Sequence, residues 1–413
     1  MLKNKIAIIG GGAAGLFAAA SVTDTENNEI TVFEKNKFTG KKLLITGKGR
    51  CNVTNSCHIN EFFQNIPVNP RFLYSSLNSF TNLDTIDFFE ELGVELKTER
   101  GGRIFPQSDK ASDIRDALLN RAKKLGTKFV FESVVSIEKT SDVFSVITKS
   151  KAYSFDKVII ATGGVSYPLT GSTGDGYKFA KTFSHSLVPP KPSLVPLVCK
   201  EKWCRELMGL SLKNVSLSIV DTRTNKVVYE DFGEMLFTHY GISGPMVLSA
   251  SSHIRDLSEC FDVYEAHINL KPALDEVTLD KRLLSDFNNC KNKDFQNSLS
   301  GLLPAMLIPV MVRLSGIDKH KKVNEITKEE RRKFAELLRN LTLTIHTARP
   351  IDEAIITSGG VSTSEINPKT MESKLVQGLY FVGEVIDVDA YTGGFNLQIA
   401  FSTARAAINA AQI

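Results

Sequence analysis

Near the start of the chain stands Lys5-Ile6-Ala7-Ile8-Ile9-Gly10-Gly11-Gly12-Ala13-Ala14-Gly15-Leu16-Phe17-Ala18-Ala19-Ala20. Lys3 and Lys5 precede an uncharged stretch that runs from Ile6 to Val22. Two readings compete: the apolar centre of a secretion signal, or a strand and helix built around a turn. A secretion signal needs an apolar centre of about 7–15 residues ending at a small-residue cleavage site. Glycine weakens a helix, and Gly10, Gly11, Gly12 and Gly15 crowd into this one stretch. The signal reading fails on that point. What remains is a compact apolar strand of the kind buried on both faces, a glycine turn and a helix-forming run.

The glycines fall as Gly10-x-Gly12-x-x-Gly15, and Glu29-Ile30-Thr31-Val32-Phe33-Glu34 then reads as a second strand ending in an acid. Gly10 permits the tight turn, Gly12 lets the backbone approach a pyrophosphate, and Gly15 lets the helix pack against the sheet. Free N–H groups and the positive end of the helix dipole would hold the phosphates. Glu34 is placed to accept hydrogen bonds from a ribose 2′-hydroxyl. A strand before the motif, a helix after it and an acid ending the next strand make dinucleotide binding the expectation. The spacing does not separate NAD from FAD.

Two distant glycine motifs bear on that choice. Lys157-Val158-Ile159-Ile160-Ala161-Thr162-Gly163-Gly164 is a buried strand expected to return to the sheet beside the first turn. Gly378-Leu379-Tyr380-Phe381-Val382-Gly383-Glu384 is another strand ending in glycine and an acid. After it come Thr392-Gly393-Gly394-Phe395-Asn396-Leu397-Gln398 and a helix to about Ala411. A simple nicotinamide dehydrogenase has no need of this last unit. A flavoprotein with two dinucleotide sites would carry a second full motif in mid-chain. Gly171-Ser172-Thr173-Gly174-Asp175-Gly176 has different spacing.

The N-terminal motif with Glu34, the middle Ala-Thr-Gly-Gly and the C-terminal GLYFVGE resemble the FAD-binding domain of glutathione-reductase-like flavoproteins. More narrowly, KKLLITGKGRCNVTN, GGRIFP, LFTHYGISGP and TMESKLVQGLYFVGEVIDVDAYTGGFNLQIAFSTA resemble the HI0933-type (YhiN-like) flavoprotein family. That family includes aminoacetone oxidase-like proteins and a bile-acid dehydro-reductase. The resemblance runs from Ile6 to the last helix and is looser between about Lys271 and Arg339. It implies an α/β fold: a Rossmann-like FAD-binding domain of glutathione-reductase type with an inserted mixed β/helical domain. It also implies FAD contacts from Gly10, Gly12, Ala13, Ala14, Gly15, Glu34, Lys35, Lys42, Gly49, Arg50, Cys51, Asn52 and Val134. From later in the chain it adds Ala161, Thr162, Gly163, Gly164, Gly383, Glu384, Gly394, Phe395 and Asn396. The wider superfamily has Asp where this chain has Glu384. The reach to the ribitol is longer by one methylene, which opens a pyrophosphate or water-mediated contact.

Alternating strand and helix signals fill residues 1–190. Ile114 to Lys124 has helical spacing, and four short strands between Lys128 and Phe155 suggest a β-meander. Val188-Pro189-Pro190-Lys191-Pro192-Ser193-Leu194-Val195-Pro196 carries four prolines, which break ladders and helices alike, so a domain boundary is expected there. Residues 191–345 read as an inserted substrate domain, with β character first and helices over Asp280 to Asn288, Leu302 to Arg313 and Lys328 to Asn340. Residues 346–413 return to the FAD domain.

Net charge is +4, spread along the chain, with hydrophobic content 42% and charged content 23%. A nucleic-acid footprint needs clustered Lys and Arg with interleaved aromatics. The nearest case, Lys319 to Lys322 continued by the run near Lys328, alternates with Glu and reads as a solvated helix face. No nucleic-acid partner is therefore expected, and no membrane. Cys51, Cys57, Cys199, Cys204, Cys260 and Cys290 contain no C-x-x-C. They fit reduced thiols, a cytoplasmic location and no metal site.

The flavin ring is expected between the FAD domain and the insert, with the Thr392–Asn396 helix start facing its N1/C2=O edge. Reduced flavin is negative there, and a positive helix end stabilises it. Arg50 could clamp a phosphate or a substrate anion. Tyr391 and His239 are the candidate proton donors, although His239 reads equally well as a buried structural histidine. The expected activity is an FAD-dependent oxidoreductase on a small-molecule substrate. NAD(P)H loads the flavin, and hydride from N5 reduces an activated C=C bond of an enone such as a 3-oxo bile acid. The alternatives are an oxidase of a small amine such as aminoacetone and a flavin-bearing RNA-binding or accessory protein.

Overall fold

The structure is a computed structural model and describes residues 3–254 and 262–413; Cys260 lies outside the described residues. The chain forms two compact units, one of Met1–Ser193 with Ile351–Ile413 and one of Leu194–Pro350.

The first unit is built on a five-stranded parallel sheet. Its order is Leu379–Phe381, Lys157–Ile160, Asn4–Ile9, Asn28–Phe33 and Lys128–Val130. Register is continuous, with Ile8 opposite both Val32 and Ile159, and Ile160 opposite Phe381. Ile6, Ile8, Val158 and Ile159 are buried, as a sheet covered on both faces requires. The helices Ala13–Ala20 and Phe395–Ala411 pack through Phe17, whose ring lies 4.7 Å from Phe401 and 5.2 Å from Phe80. Gln398, fully buried in the last helix, accepts from Thr54 Oγ1 (2.7 Å) and donates to the Thr81 carbonyl (3.0 Å) and Ser402 Oγ (3.0 Å).

Of the four short strands expected between Lys128 and Phe155, the first joins the parallel sheet beside Asn28–Phe33. The other three, Val134–Thr140, Val143–Thr148 and Ala152–Phe155, make the meander. The units divide inside the proline-rich segment, after Ser193, as its four prolines suggest, but those prolines do not keep its first part out of a sheet. Leu187–Ser193 is a strand, antiparallel to Ile356–Val361, with a register shift between Val188 and Lys191. The shift falls at Pro189 and Pro190, so the residues that cannot donate to a ladder sit at the bulge.

The second unit contains a closed six-stranded barrel, which the sequence reading did not anticipate. The strands run in the order Leu197–Cys199, Gly241–Ser243, Lys226–Phe237, Ser211–Asp221, Tyr264–Asn269 and Leu341–Ala348. Glu276–Asn288, Ile308–Ser315 and Lys328–Arg339 are its longer helices. The middle one is shorter than the expected Leu302 to Arg313, because Pro304 interrupts the run and Pro309 sits in the first turn. No helix among the described residues is long and apolar enough to cross a membrane.

Candidate functional site

The sheet delivers its glycine motifs to one edge, the carboxyl ends of its strands, where open α/β sheets bind ligands. Gly10 follows the strand Asn4–Ile9 at φ +109°, and a Cβ there would lie 2.5 Å from the Ala161 carbonyl oxygen and 3.1 Å from Thr162 Cα. A Cβ on Gly383 would come 3.0 Å from that of Ala14, and one on Gly164 would come 3.2 Å from Glu384 Oε1. Segments hundreds of residues apart therefore meet at the start of the helix Ala13–Ala20. That helix has no side-chain cap at Gly12, leaving its first N–H groups for an outside acceptor. A Cβ on Gly15 would collide with the Gly10 carbonyl oxygen, whereas one on Gly12 would meet nothing within 4 Å. Gly15 is closed by the protein, and Gly12 faces open space at a positive helix end. The residues present fit a pyrophosphate.

Glu34 is 8% exposed at the end of its strand. Its Oε2 accepts from the Gly11 N–H (2.9 Å) and its Oε1 from the backbone N–H and side-chain amide of Asn36 (2.8 and 2.7 Å). These bonds aim the carboxylate beside the glycine turn; Oε1 accepts two of them, and Oε2, accepting one, retains a lone pair for a ribose hydroxyl. Lys35 is committed elsewhere: its ammonium pairs with Asp175 (2.6 Å) and bonds Thr173 (2.5 Å).

Glu384 centres a network the sequence did not reveal. Lys42 Nζ lies 2.7 Å from Oε2, while Ser166 Oγ (2.9 Å) and the Thr357 N–H (2.8 Å) bond Oε1. Thr357 Oγ1 in turn accepts from the N–H groups of Val165 and Ser166 (2.8 and 3.0 Å), holding the chain just past Gly163 and Gly164.

The loop Leu43–Gly49 passes through left-handed backbone at Gly47 and Lys48, and Cys51 is left-handed as well. Cys51 is fully buried, and burial pushes its thiol up to about 12, which leaves it inert as a redox group. Asn52, with its amide turned to satisfy both ends, donates to the carbonyls of Ile104 and Thr54 (3.1 Å each) and accepts from the Gly394 N–H (3.0 Å). The loop containing Gly49 and Asn52 is thereby pinned to the start of the last helix. A Cβ on Gly394, at φ +98°, would run into the Thr54 carbonyl. Asn396 staples the preceding segment, accepting from the Ala390 N–H (2.9 Å) and donating to its carbonyl (2.6 Å). Phe395 is buried against Phe62, with ring centroids 4.7 Å apart.

Arg50, expected as an anion clamp, is taken. Its guanidinium pairs with Glu99 (2.7 Å) and Asp109 (3.2 Å) and lies 4.1 Å from the centroid of the Phe105 ring. Arg50→Ala is expected to lower stability by about 1–2 kcal/mol, from a partly exposed ion pair and a cation–π contact, with bound flavin retained. Thermal melting alongside flavin content checks this; flavin loss without a melting shift would restore the clamp reading. Val134 opens the meander opposite Thr148 and is half-buried.

Tyr391 is half-buried, with its N–H on the Asn65 carbonyl (2.9 Å). His239 is not the buried structural histidine considered from sequence. It is exposed in a barrel turn, its ring edge-on to Tyr240 at 4.7 Å. Among the described residues no group of His, Cys, Asp and Glu is placed to hold a metal.

Asp389 was missed. It is 2% exposed, and neither carboxylate oxygen has a hydrogen bond among the described residues. The Ser193 and Ser358 hydroxyls are close enough to favour its charged form, but neither makes a hydrogen bond of good geometry to it. Burial, opposed by those hydroxyls and reinforced by Asp387 and Glu384, raises it to about 6. A charged residue inside the apolar run Val385-Ile386-Asp387-Val388-Asp389-Ala390 was the available signal.

The family described as HI0933-like protein Rossmann domain matches this chain over residues 4–410. A 3-dehydro-bile acid delta(4,6)-reductase of Clostridium scindens is 32% identical over 408 residues, covering 97% of both chains. Ribosomal RNA dihydrouridine synthases of Haemophilus influenzae and Escherichia coli are each 32% identical as well. They cover 97% and 96% of this chain and 96% and 95% of their own. The expectation of no nucleic-acid partner is overturned by these two relatives, whose names place RNA within the reach of this architecture. Spread-out charge did not exclude RNA, because an enzyme that acts on a base can bind through a local surface without an overall basic bias.

Proposed function

The chain belongs to the HI0933-like family of FAD-binding flavoproteins and is an FAD-dependent oxidoreductase, and we propose that it reduces a C=C bond conjugated to a carbonyl, with a uracil base of ribosomal RNA as substrate. One observation carries this reading: relatives with differently named substrates, all 32% identical to this chain, share one bond change. Dihydrouridine is uridine with two hydrogens added across C5=C6, which is conjugated to the C4 carbonyl. A delta(4,6)-reductase acting on a 3-dehydro bile acid also adds two hydrogens to an alkene conjugated to a carbonyl. In balance, NAD(P)H and a proton become NAD(P)+, and the C=C becomes CH–CH, with hydride at the β-carbon and the proton at the α-carbon.

Bound FAD supplies the hydride at N5. The chain's own residues do the rest. N–H groups of Gly12, Ala13 and Ala14 would hold the pyrophosphate, and Glu34 would orient the ribose. Glu384, fixed by Lys42, Ser166 and Thr357, would take the ribitol side. The start of the helix Phe395–Ala411, braced by Asn52, would place positive potential at the pyrimidine edge of the ring. Tyr391, in the segment stapled by Asn396, is our candidate for the proton donor.

The test uses the flavin-loaded protein under anaerobic conditions with NADH or NADPH. Deproteinised ribosomal RNA from cells lacking this protein serves as substrate, followed by nucleoside mass spectrometry. The expected result is conversion of a uridine to dihydrouridine. Reduction of a 3-oxo-Δ4 bile acid with RNA untouched would move the assignment to the steroid reading, which the Clostridium scindens relative favours equally by identity. Failure of both substrates with a flavin that NAD(P)H reduces would sink the reading.

A further inference from the structure

Two basic segments of the second unit, far apart in sequence, lie side by side. Residues 291–294 and 318–322 hold five lysines and His320 against Asp294 and Asp318. Asp294 and Lys322 form an antiparallel bridge. Backbone bonds from Phe295 N–H to the Lys321 carbonyl (2.9 Å) and from Val323 N–H to the Lys293 carbonyl (3.1 Å) zip the strips together. Phe295 and Val323 are buried beneath them and anchor the pair.

By sequence, Lys319–Lys322 and the following charge run form one solvated helix face. The structure separates them. Lys328–Arg339 is a helix with paired cations, Arg331 with Asp280 of the helix Glu276–Asn288 (2.7 Å) and Lys333 with Glu329 of its own helix (2.8 Å). Residues 319–322 instead join 291–294 in a local excess of positive charge. Lys322 and His320 share Asp294 (2.7 and 3.4 Å), and Lys321 is spent on Glu330 (2.7 Å). Lys291, Lys293 and Lys319 are exposed and make no ion pair among the described residues. Three free ammonium groups on a hydrogen-bonded ribbon suit a ligand with repeating negative charges and no demand for base contacts.

We propose that this ribbon docks the phosphate backbone of the RNA substrate, with Lys291, Lys293 and Lys319 as the contacts. The proposal rests on the RNA reading above and extends it to the surface that engages the polymer. Phosphate contacts of this kind position a nucleic acid without reading its sequence, and they bind by releasing counterions.

The test is equilibrium binding of deproteinised ribosomal RNA to the flavin-loaded protein at several potassium chloride concentrations. It compares wild type with K291E/K293E/K319E and with the charge-matched control K149E/K226E/K369E, whose lysines are also exposed. Each lost phosphate contact removes about 0.7–0.9 from the slope of log K against log salt, so the ribbon variant should lose about 2–3 from that slope. Its binding should weaken by about ten-fold or more at low salt. The control should keep the wild-type slope to within about one contact. Both variants should reduce flavin with NAD(P)H as wild type does, which shows they are folded and loaded.

Equal losses in the two variants, or wild-type binding by the ribbon variant, would overturn the ribbon. So would ribbon-dependent binding to vesicles of anionic lipid with none to RNA. The mass-spectrometric assay keeps the two ideas apart. Dihydrouridine formed by a wild type whose RNA binding ignores the ribbon removes only the ribbon. RNA bound through the ribbon without reduction of any uridine removes only the substrate assignment.

Discussion

Gly12→Val is expected to give a folded protein that has lost its flavin. The backbone of Gly12 is extended, with φ −80° and ψ −163°, a conformation that valine adopts readily. No heavy atom lies within 4 Å of the position its Cβ would take. The folded chain therefore loses little more than a modest N-cap preference, about 1 kcal/mol or less. The added side chain fills the space into which the first helix aims its free N–H groups. Overpacking there costs a bound pyrophosphate about 1–3 kcal/mol, and losing charge-assisted N–H contacts costs about 1.5–3 more. FAD affinity should fall by about 100-fold or more.

Gly15→Val provides the contrast. Its Cβ would overlap the Gly10 carbonyl oxygen, a backbone atom held in the sheet, and the expected outcome is loss of the fold. Visible flavin absorbance after gel filtration, with a thermal melt of each protein, separates the two outcomes. A yellow Gly12→Val protein with wild-type FAD affinity would place the dinucleotide away from this turn.

Asp389→Asn should make the protein more stable near neutral pH and nearly unchanged in acid. An aspartate in the unfolded chain titrates near 3.9. In the fold the same group is raised to about 6, because burial penalises its charge and no hydrogen bond satisfies it. Between those values the folded state holds the proton more tightly than the unfolded state. Stability is therefore highest below about pH 4, declines as pH rises toward 6, and carries the full penalty above it. A gap of about two pKa units corresponds to about 2–3 kcal/mol. Asparagine cannot ionise, so the variant should exceed wild type by about that amount at pH 7.5 and converge with it near pH 4. Urea melts at both pH values make the comparison. A gain of equal size at both would mean that Asp389 is destabilising for a reason other than its charge.

Much of the first unit could be read from neighbouring residues. The turn at Gly10–Gly15, the acid at Glu34 and the strands ending at Ile160 and Phe381 are local patterns, each decided by which side chains can occupy a buried strand or a tight turn. The prolines from Pro189 onward mark the boundary between the units, which falls after Ser193, but they misled about the ladder for the same reason. Local propensity disfavours a ladder there, and only the partner strand Ile356–Val361 supplies a register that skips Pro189 and Pro190. In the second unit, barrel closure depends on which of six strands pair. Alternating hydrophobicity within each strand carries no record of that.

By itself the sequence determined that this chain binds a dinucleotide through its first strand, turn and helix, and that it belongs among FAD-dependent oxidoreductases of one family. Spacing and residue type are enough for the first, because the backbone constraints act within a few residues; the second rests on the resemblance of longer segments to that family, since the spacing alone does not separate NAD from FAD. Only the tertiary structure decided how the charges are used. It commits Arg50 to Glu99 and Asp109, and Lys35 to Asp175. It sets Glu384 among Lys42, Ser166 and Thr357, strands Asp389 without a partner, and brings Lys291 and Lys293 beside Lys319. A charge is spent or left free according to what lies within a few ångströms of it, and for residues a hundred positions apart that distance is set by the fold.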